Sequence, residues 1–146
     1  MKLIVKVDPM SGIDTGTKAV QRAVQDAKER VVMDAALLIE TEAKLLAPVR
    51  TGTLRRSIHR EVVESTAVRT VVKVGPDELV TYAGFVEMGT SRMKAQPYMR
   101  PAYETQKGAV VDSITSELRP AITEALVDIT NQIAARRAAR RSSRGG

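Results

Sequence analysis

The sequence predicts an α+β fold in which a small antiparallel β-sheet packs against a long N-terminal helix, followed by a short helix and a long, kinked C-terminal helix. Apolar residues that recur at spacings of three and four over two long stretches predict the long helices. Short runs of alternating apolar and polar residues, separated by turn-forming residues, predict the strands. The resulting order is strand, long helix, hairpin, short helix and long helix. This order is typical of a sheet with a long helix against one face.

The first strand and the first helix are predicted from the N-terminal third of the chain. Residues 3–7 alternate in the way of a short strand, with Leu3, Val5 and Val7 on one side. Residues 17–46 carry apolar side chains at helical spacing, and the stripe widens toward the C-terminal end, which indicates deeper burial there. Pro48 ends this helix, because a proline biases the residue before it away from the helical region.

A β-hairpin and a short helix are predicted next. The hairpin consists of strands at residues 57–64 and 68–75, and a loop over residues 49–56 precedes it. Residues 79–88 predict a short helix, which Gly89 is expected to end in a left-handed conformation.

The last helix is expected to begin at Pro101, because a proline at the first helical position loses no hydrogen bond. Residues 90–100 before it are predicted to form a loop or a short strand. A kink or break is expected at Pro120, which lies within the apolar stripe. We expect residues 1–135 to form a single domain and residues 136–146 to form an Arg-rich tail exposed to solvent.

The composition gives no support for catalysis or for a cofactor. The chain has no Cys and a single His, which excludes disulfides, thiolate metal sites and clusters of His ligands. His59 is predicted on an exposed strand without a nucleophile pattern nearby, no carboxylates are expected to converge, and no glycine-rich phosphate loop is present. No apolar run approaches the ~20 residues that a membrane helix needs. We therefore expect no enzyme activity, no cofactor, no metal and no membrane contact.

The net charge of +6 is concentrated at the C-terminal end. Five arginines there have no acidic neighbour, so the first 135 residues sum to about +1 (6 − 5): Arg136, Arg137, Arg140, Arg141 and Arg144. A nearly neutral body is unlike dedicated nucleic-acid-binding domains, which usually spread positive charge over a face. The Arg-rich end could bind phosphate without sequence preference, or it could simply keep the end of the chain soluble.

Two stretches remain that neither catalysis nor composition explains. The first runs from Ala47 to Ile58 and includes turn-forming, polar and apolar residues: Pro48, Thr51, Gly52, Leu54 and Ser57. The second runs from Tyr82 to Thr90 and includes Phe85, Glu87 and Gly89. Two prolines, Pro97 and Pro101, follow it downstream.

The residues of these stretches have plausible structural roles. Thr51 and Gly52 allow a sharp turn out of the long helix. Tyr82, Phe85 and Val86 form an apolar helix face that can pack on the sheet. The two downstream prolines stiffen a loop, which lowers the entropy that the loop loses when it docks on a neighbour.

In order and spacing, the two stretches resemble the gene-product-ten-like tail-component family of long-tailed bacteriophages and prophages. The pattern of that family is a long helix, Ala-Pro-x-x-Thr-Gly-x-Leu-x-x-Ser-Ile, a hairpin, Tyr-Ala-x-x-Val-Glu-x-Gly-Thr, and a Pro-aromatic-x-x-Pro-Ala entry to the last helix. The resemblance covers about residues 20–120, and the Arg-rich end departs from the pattern.

The resemblance implies a structural virion protein without cofactor or active site. Such a protein would form a homo-oligomeric ring in the neck and join the head connector or head-closure protein to the tail terminator or tail-tube protein. It would be made in the bacterial host cytoplasm and reside in the virion.

Two contacts are expected on this interpretation. Glu87 should pair with Arg100, Arg55 or Arg92 and so hold the loop 90–100, which should contact a neighbouring subunit or ring. The Arg-rich end should contact a protein partner or genomic DNA in the channel. The alternative function is that of a small non-specific nucleic-acid-binding protein that uses this Arg-rich end.

Overall fold

The computed structural model describes residues 3–7, 18–66 and 68–142. The elements in chain order are β1 (Leu3–Val7), α1 (Lys18–Leu46), α2 (Thr53–Ser57), β2 (Ile58–Ser65), β3 (Thr70–Pro76), α3 (Ala83–Met88) and α4 (Met99–Ser142). The predicted α+β fold, with an antiparallel sheet, a long N-terminal helix and a long C-terminal helix, is confirmed.

The three strands form one antiparallel sheet in the order β1–β3–β2. The central strand β3 is buried along most of its length, which is why its sequence is rich in valine. On β2 the register shifts between Val62 and Glu64. The shift leaves Val63 outside the pairing with β3, and its side chain is 58% exposed.

The core lies between the sheet, α1 and α4. One cluster joins the C-terminal half of α1, the sheet and the start of α4, with Ile39, Val72 and Tyr98 fully buried. A second cluster joins Val24, in the first half of α1, to Ile122, which lies later in α4. Because later residues of α1 meet earlier residues of α4, the helices are antiparallel neighbours.

The start of α4 differs from the sequence prediction, whereas its end agrees with the expectation that the helix could continue through residues 134–141, because Ala and Arg are strong helix formers. The helix begins at Met99 rather than at Pro101, and it continues through Arg136 to Ser142, so no helix end marks the predicted boundary at residue 135. The division of the chain at that residue stays a prediction. Likewise α2 is a helix where a loop was expected.

The helix α4 continues through Pro120, so a break there is not observed. A proline leaves the carbonyl of the residue four positions earlier, Ser116, without its helical donor. Both Pro120 and Ser116 are exposed, whereas the neighbouring Ala121 and Ile122 are buried. Water can therefore bond to the freed carbonyl on the solvent side of the helix, while the buried side keeps its hydrogen bonds.

A buried carboxylate joins α1 to the sheet. The Glu40 side chain accepts a hydrogen bond from Nη1 of Arg60 on β2 at 2.6 Å and another from Lys44 on its own helix. Burial raises the pKa of Glu40, but the hydrogen bonds and charges of Lys44 and Arg60 outweigh it, so the pKa lies below its usual value. The ionised form is therefore the one that stabilises the fold.

We predict that Glu40→Gln lowers the free energy of unfolding at pH 7 by about 1–3 kcal/mol, because hydrogen bonds to a charged group become neutral ones. The pKa of Glu40 is depressed on folding, so its contribution is present above the unfolded value near 4.5 and is lost as pH falls through the folded value. Urea unfolding over a pH series should show the two proteins converging in acid. The control is Asp34→Asn, an exposed position on the same helix. Equal stability of Glu40→Gln and wild type at pH 7 contradicts the prediction.

Candidate partner-binding site

The buried carboxylate of Glu87 joins α3 to the start of α4. Its Oε2 accepts hydrogen bonds from the backbone N–H groups of Tyr98 at 2.8 Å and Met99 at 2.9 Å. Its Oε1 accepts one from the N–H of Arg100 at 3.0 Å. The first N–H groups of a helix have no partner within the helix, and a carboxylate there is further stabilised by the helix dipole. Glu87 therefore caps α4 from a different element.

Pro101 completes this helix start. It has no N–H to satisfy, and the N–H of Ala102 bonds to the carbonyl of Tyr98 at 3.3 Å. Each backbone N–H from Tyr98 to Ala102 thus has a partner. Pro101 is the third residue of α4 rather than the first. As predicted, a proline this close to the helix start loses no hydrogen bond.

The expected ion pair of Glu87 with Arg100, Arg55 or Arg92 is wrong. Among the described residues, the hydrogen bonds of Glu87 go to backbone N–H groups, and Arg100 contributes its N–H rather than its guanidinium. Three converging N–H groups compensate a buried carboxylate without a second side chain having to be buried. The expected effect on the loop is nevertheless present, since Glu87 fixes its C-terminal end.

Gly89 ends α3 and lets the following loop pack closely. Its φ is 76° and its ψ is 178°, so φ is positive as predicted, whereas ψ is extended rather than left-handed helical. A Cβ at this position would lie 2.7 Å from the backbone N of Ala95 and 2.8 Å from the carbonyl oxygen of Met93. Glycine is therefore required both for the backbone angle and for the close approach.

The loop after Gly89 is held by further backbone contacts. The Thr90 hydroxyl accepts hydrogen bonds from the N–H groups of Arg92 at 3.2 Å and Met93 at 3.1 Å. The N–H of Gln96 bonds to the carbonyl of Val86 on α3 at 2.8 Å. The loop is therefore attached at both ends and in its middle.

The first sequence stretch forms the opposite wall. Gly52 has φ 76° and ψ −3°, the left-handed conformation that allows the predicted sharp turn, and α2 begins directly after it. Leu54 of α2 is 4% exposed and belongs to the core. The Ser57 hydroxyl donates to the carbonyl of Leu54 at 2.7 Å, which closes this short helix. Thr51 remains exposed at the surface beside the turn.

Between the two walls lies an apolar groove of about 470 Å³. Its lining comes from both sequence stretches: Pro48, Arg50, Thr51, Gly52, Leu54, Tyr82, Phe85, Val86, Thr90, Met93 and Gln96. Tyr82 is 43% exposed, Phe85 58% and Met93 37%. Of the apolar face that was expected to pack on the sheet, only Val86 packs against the core. Tyr82 and Phe85 instead face the groove.

Exposed cations lie on the two chain segments, 47–57 and 88–100, that contain most of the residues lining the groove. We call the following six residues the cationic rim: Arg50, Arg55, Arg56, Arg92, Lys94 and Arg100. Arg50 lines the groove, and three of the others directly precede or follow a lining residue in the sequence: Arg55, Arg92 and Lys94. Ion pairs within the described part of the chain involve none of the six. The two segments 47–57 and 88–100 contain no acid, so the nearly neutral body carries a local positive region that its net charge did not reveal.

The other predicted site residues lie apart from the groove or outside the described side chains. Arg136, Arg137 and Arg140 are exposed on the last turns of α4. About 37 residues of helix separate them from the start of α4, which is about 55 Å. The Arg141 side chain and the whole of Arg144 lie outside the described part of the structure. Pro97 is exposed in the loop before α4.

The described ranges contain no group of three or more His, Asp or Glu side chains placed to hold a metal ion. None of their helices combines the length and apolarity needed to cross a membrane.

An apolar groove with exposed aromatic side chains and a cationic rim has the character of surfaces that bind other macromolecules. The chain belongs to the HK97-gp10-like family, whose sequence model is described as "Bacteriophage HK97-gp10, putative tail-component" and matches residues 13–89, more than half of the chain. Comparisons with curated proteins and with solved structures found no match. The family match confirms the resemblance drawn from the motifs as far as residue 89, whereas its predicted extension to about residue 120 lies beyond the match. The chain is a structural component of the bacteriophage tail, located in the virion.

We predict that Glu87→Ala lowers the free energy of unfolding by about 3 kcal/mol, because three N–H groups lose a buried charged acceptor. Glu87→Gln keeps one acceptor oxygen, so its free energy of unfolding should lie between those of Glu87→Ala and wild type. Hydrogen exchange at Tyr98, Met99 and Arg100 should accelerate in both variants. Glu104→Ala, at an exposed glutamate on α4, should change stability by less than about 0.5 kcal/mol. Unchanged exchange at the three amides in Glu87→Ala contradicts the capping role.

A pair of glycine variants tests the close approach of the loop. Gly89→Ala should destabilise the protein by at least about 2 kcal/mol, because the new Cβ meets the loop backbone and φ is positive. Gly108→Ala should stabilise it by about 0.5–1 kcal/mol, because that glycine lies within α4 and a Cβ there meets nothing within 4 Å. Thermal unfolding of both variants measures the difference, and shifts of the same sign count against the interpretation.

Proposed function

We propose that this chain is a subunit of a homo-oligomeric ring in the neck of a tailed bacteriophage, where it joins the head connector to the tail. The observation that carries the proposal is the apolar groove, which the motifs of the family build and which exposes Tyr82, Phe85 and Met93. Exposed apolar surface of this kind marks a site that another protein covers. The partners are a head connector or head-closure protein on one side and a tail terminator or tail-tube protein on the other.

The roles of the motif residues support a structural rather than a catalytic function. Glu87 caps a helix, Gly52 and Gly89 adopt positive φ, and Thr90 fixes a turn. Each of these residues shapes the backbone around the groove. A sequence pattern whose polar members bond to backbone groups suits a subunit that must present a fixed surface.

The C-terminal end of α4 offers a second contact surface. Residues 131–140 are all exposed, which makes about 15 Å of helix accessible at the surface. This segment carries Arg136, Arg137 and Arg140, and its ordered helical form suits docking onto a fixed acidic surface of an adjacent ring. Genomic DNA in the channel is the other polyanion that these arginines could meet.

One observation favours the alternative of non-specific nucleic-acid binding. The cationic rim and the Arg-rich end of α4 both present exposed positive charge. The groove itself argues for a protein partner, because binding to phosphate requires no apolar floor. Gel filtration with and without short duplex DNA separates the two: a DNA-independent assembly favours the ring, and a small species that shifts with DNA favours the alternative.

The proposed joining function predicts a specific defect for Phe85→Asp. The side chain is 58% exposed, so the variant should fold normally, but a charge in the groove should prevent a partner from covering it. Phage lacking the wild-type gene and supplied with this variant should accumulate separate heads and tails, counted by electron microscopy. Val63→Asp is the matched control, since Val63 is also 58% exposed but lies on β2. Normal joining with Phe85→Asp would count against the proposal.

A further inference from the structure

A closed ring of more than two copies needs two different surfaces on each subunit. In a cyclic arrangement every subunit presents one surface to the neighbour ahead and another to the neighbour behind. If the proposed ring forms, each subunit must offer two such surfaces. The groove with its cationic rim is the first of them.

Charge excludes two occupants of the groove. A second groove facing the first would bring two cationic rims together, and like charges repel. The C-terminal end of α4 from another copy is excluded for the same reason, because it carries Arg136, Arg137 and Arg140. The occupant must combine an apolar side chain with flanking negative charge.

The middle of α4 has this combination. Residues 109–135 contain four acids, Asp112, Glu117, Glu124 and Asp128, against the single cation Arg119, so their net charge is −3 (1 − 4). Val127 is 52% exposed. Glu124 and Asp128 are exposed beside it, and no ion pair with a described residue involves either.

The spacing of these residues places them on one face of the helix. Glu124, Val127, Asp128 and Asn131 follow one another at i, i+3, i+4 and i+7. All four are exposed, so the face is available to a neighbour. An amphipathic face of this form is the type that docks into an apolar groove.

We propose that Val127 of one subunit occupies the groove of the next, with Glu124 and Asp128 against the cationic rim. The apolar contact places Val127 beside Phe85 and Met93 of its neighbour. The carboxylates favour this contact over one between two grooves, because two cationic rims repel each other whereas a rim and an acidic helix face attract. Each subunit then uses its groove toward one neighbour and its α4 face toward the other, which is the condition for a closed ring.

Charge exchange tests this pairing. Arg50→Glu/Arg92→Glu on the rim and Glu124→Lys/Asp128→Lys on α4 should each reduce joined particles by at least about tenfold. The variant that combines all four changes should restore joining, because attraction is re-established with the signs exchanged. Lys18→Glu/Arg22→Glu changes net charge as much as the rim variant does, at exposed positions of α1, and should join normally.

Cross-linking tests the same contact in assembled particles. The chain has no Cys, so Met93→Cys with Val127→Cys introduces the only two thiols. A short bismaleimide linker should then give a ladder of covalent multimers from purified particles, whereas each single-Cys variant should give dimers at most. The copy number released from wild-type particles is measured independently by native mass spectrometry.

The outcomes separate the inference from the function on which it rests. Rings that persist in both charge variants, or a combined variant that does not recover, overturn the pairing and leave the ring in place. A rim variant that forms rings but does not join particles assigns the groove to another virion protein, which also overturns the pairing. Wild-type particles that contain single copies and no ring would overturn the proposed function itself.

Discussion

The carboxylate of Glu87 is the constraint on which the rest of the binding surface depends. A carboxylate that is 5% exposed is costly unless it is compensated, and the first N–H groups of α4 would be equally costly without an acceptor. The N–H groups supply the donors that the carboxylate needs, and the carboxylate supplies their acceptor. The helix α3, the loop after it and the start of α4 are therefore held as one unit, although residues 87 and 98–100 are separated in the sequence by the whole loop.

This unit forms one wall of the groove before any partner is present. Gly89 lets the loop approach α3, and the bond from Gln96 to Val86 holds its middle. With the backbone fixed, the exposed Tyr82 and Phe85 stand on a rigid support. A surface that is already ordered loses little conformational entropy when a partner covers it, so more of the apolar contact is available for affinity. The two family motifs thus describe a single construction rather than separate sites.

Regular elements were predictable from the sequence because their signals are local. The boundaries of α1, predicted at 17–46 and observed at Lys18–Leu46, follow from a long buried stripe and from Pro48. The helix α2 has five residues, too few to show a helical period. The partners of Glu87 were missed because backbone N–H groups leave no mark in a side-chain pattern, and arginines stood nearby as plausible alternatives. The cationic rim was missed because its charge is divided between two segments that only the fold brings together.

Charge in this chain is separated in space, and the separation matters more than the net value. The rim carries six cations, whereas the middle of α4, about 38 Å along the helix from its start, carries a net negative charge. Identical subunits with this distribution attract when the rim of one meets the α4 face of another and repel when two rims meet. In the proposed ring, this attraction would set the polarity of association and the apolar groove would hold the contact. A nearly neutral body could then specify a directional assembly, because both surfaces would be used only when subunits follow one another in the same sense.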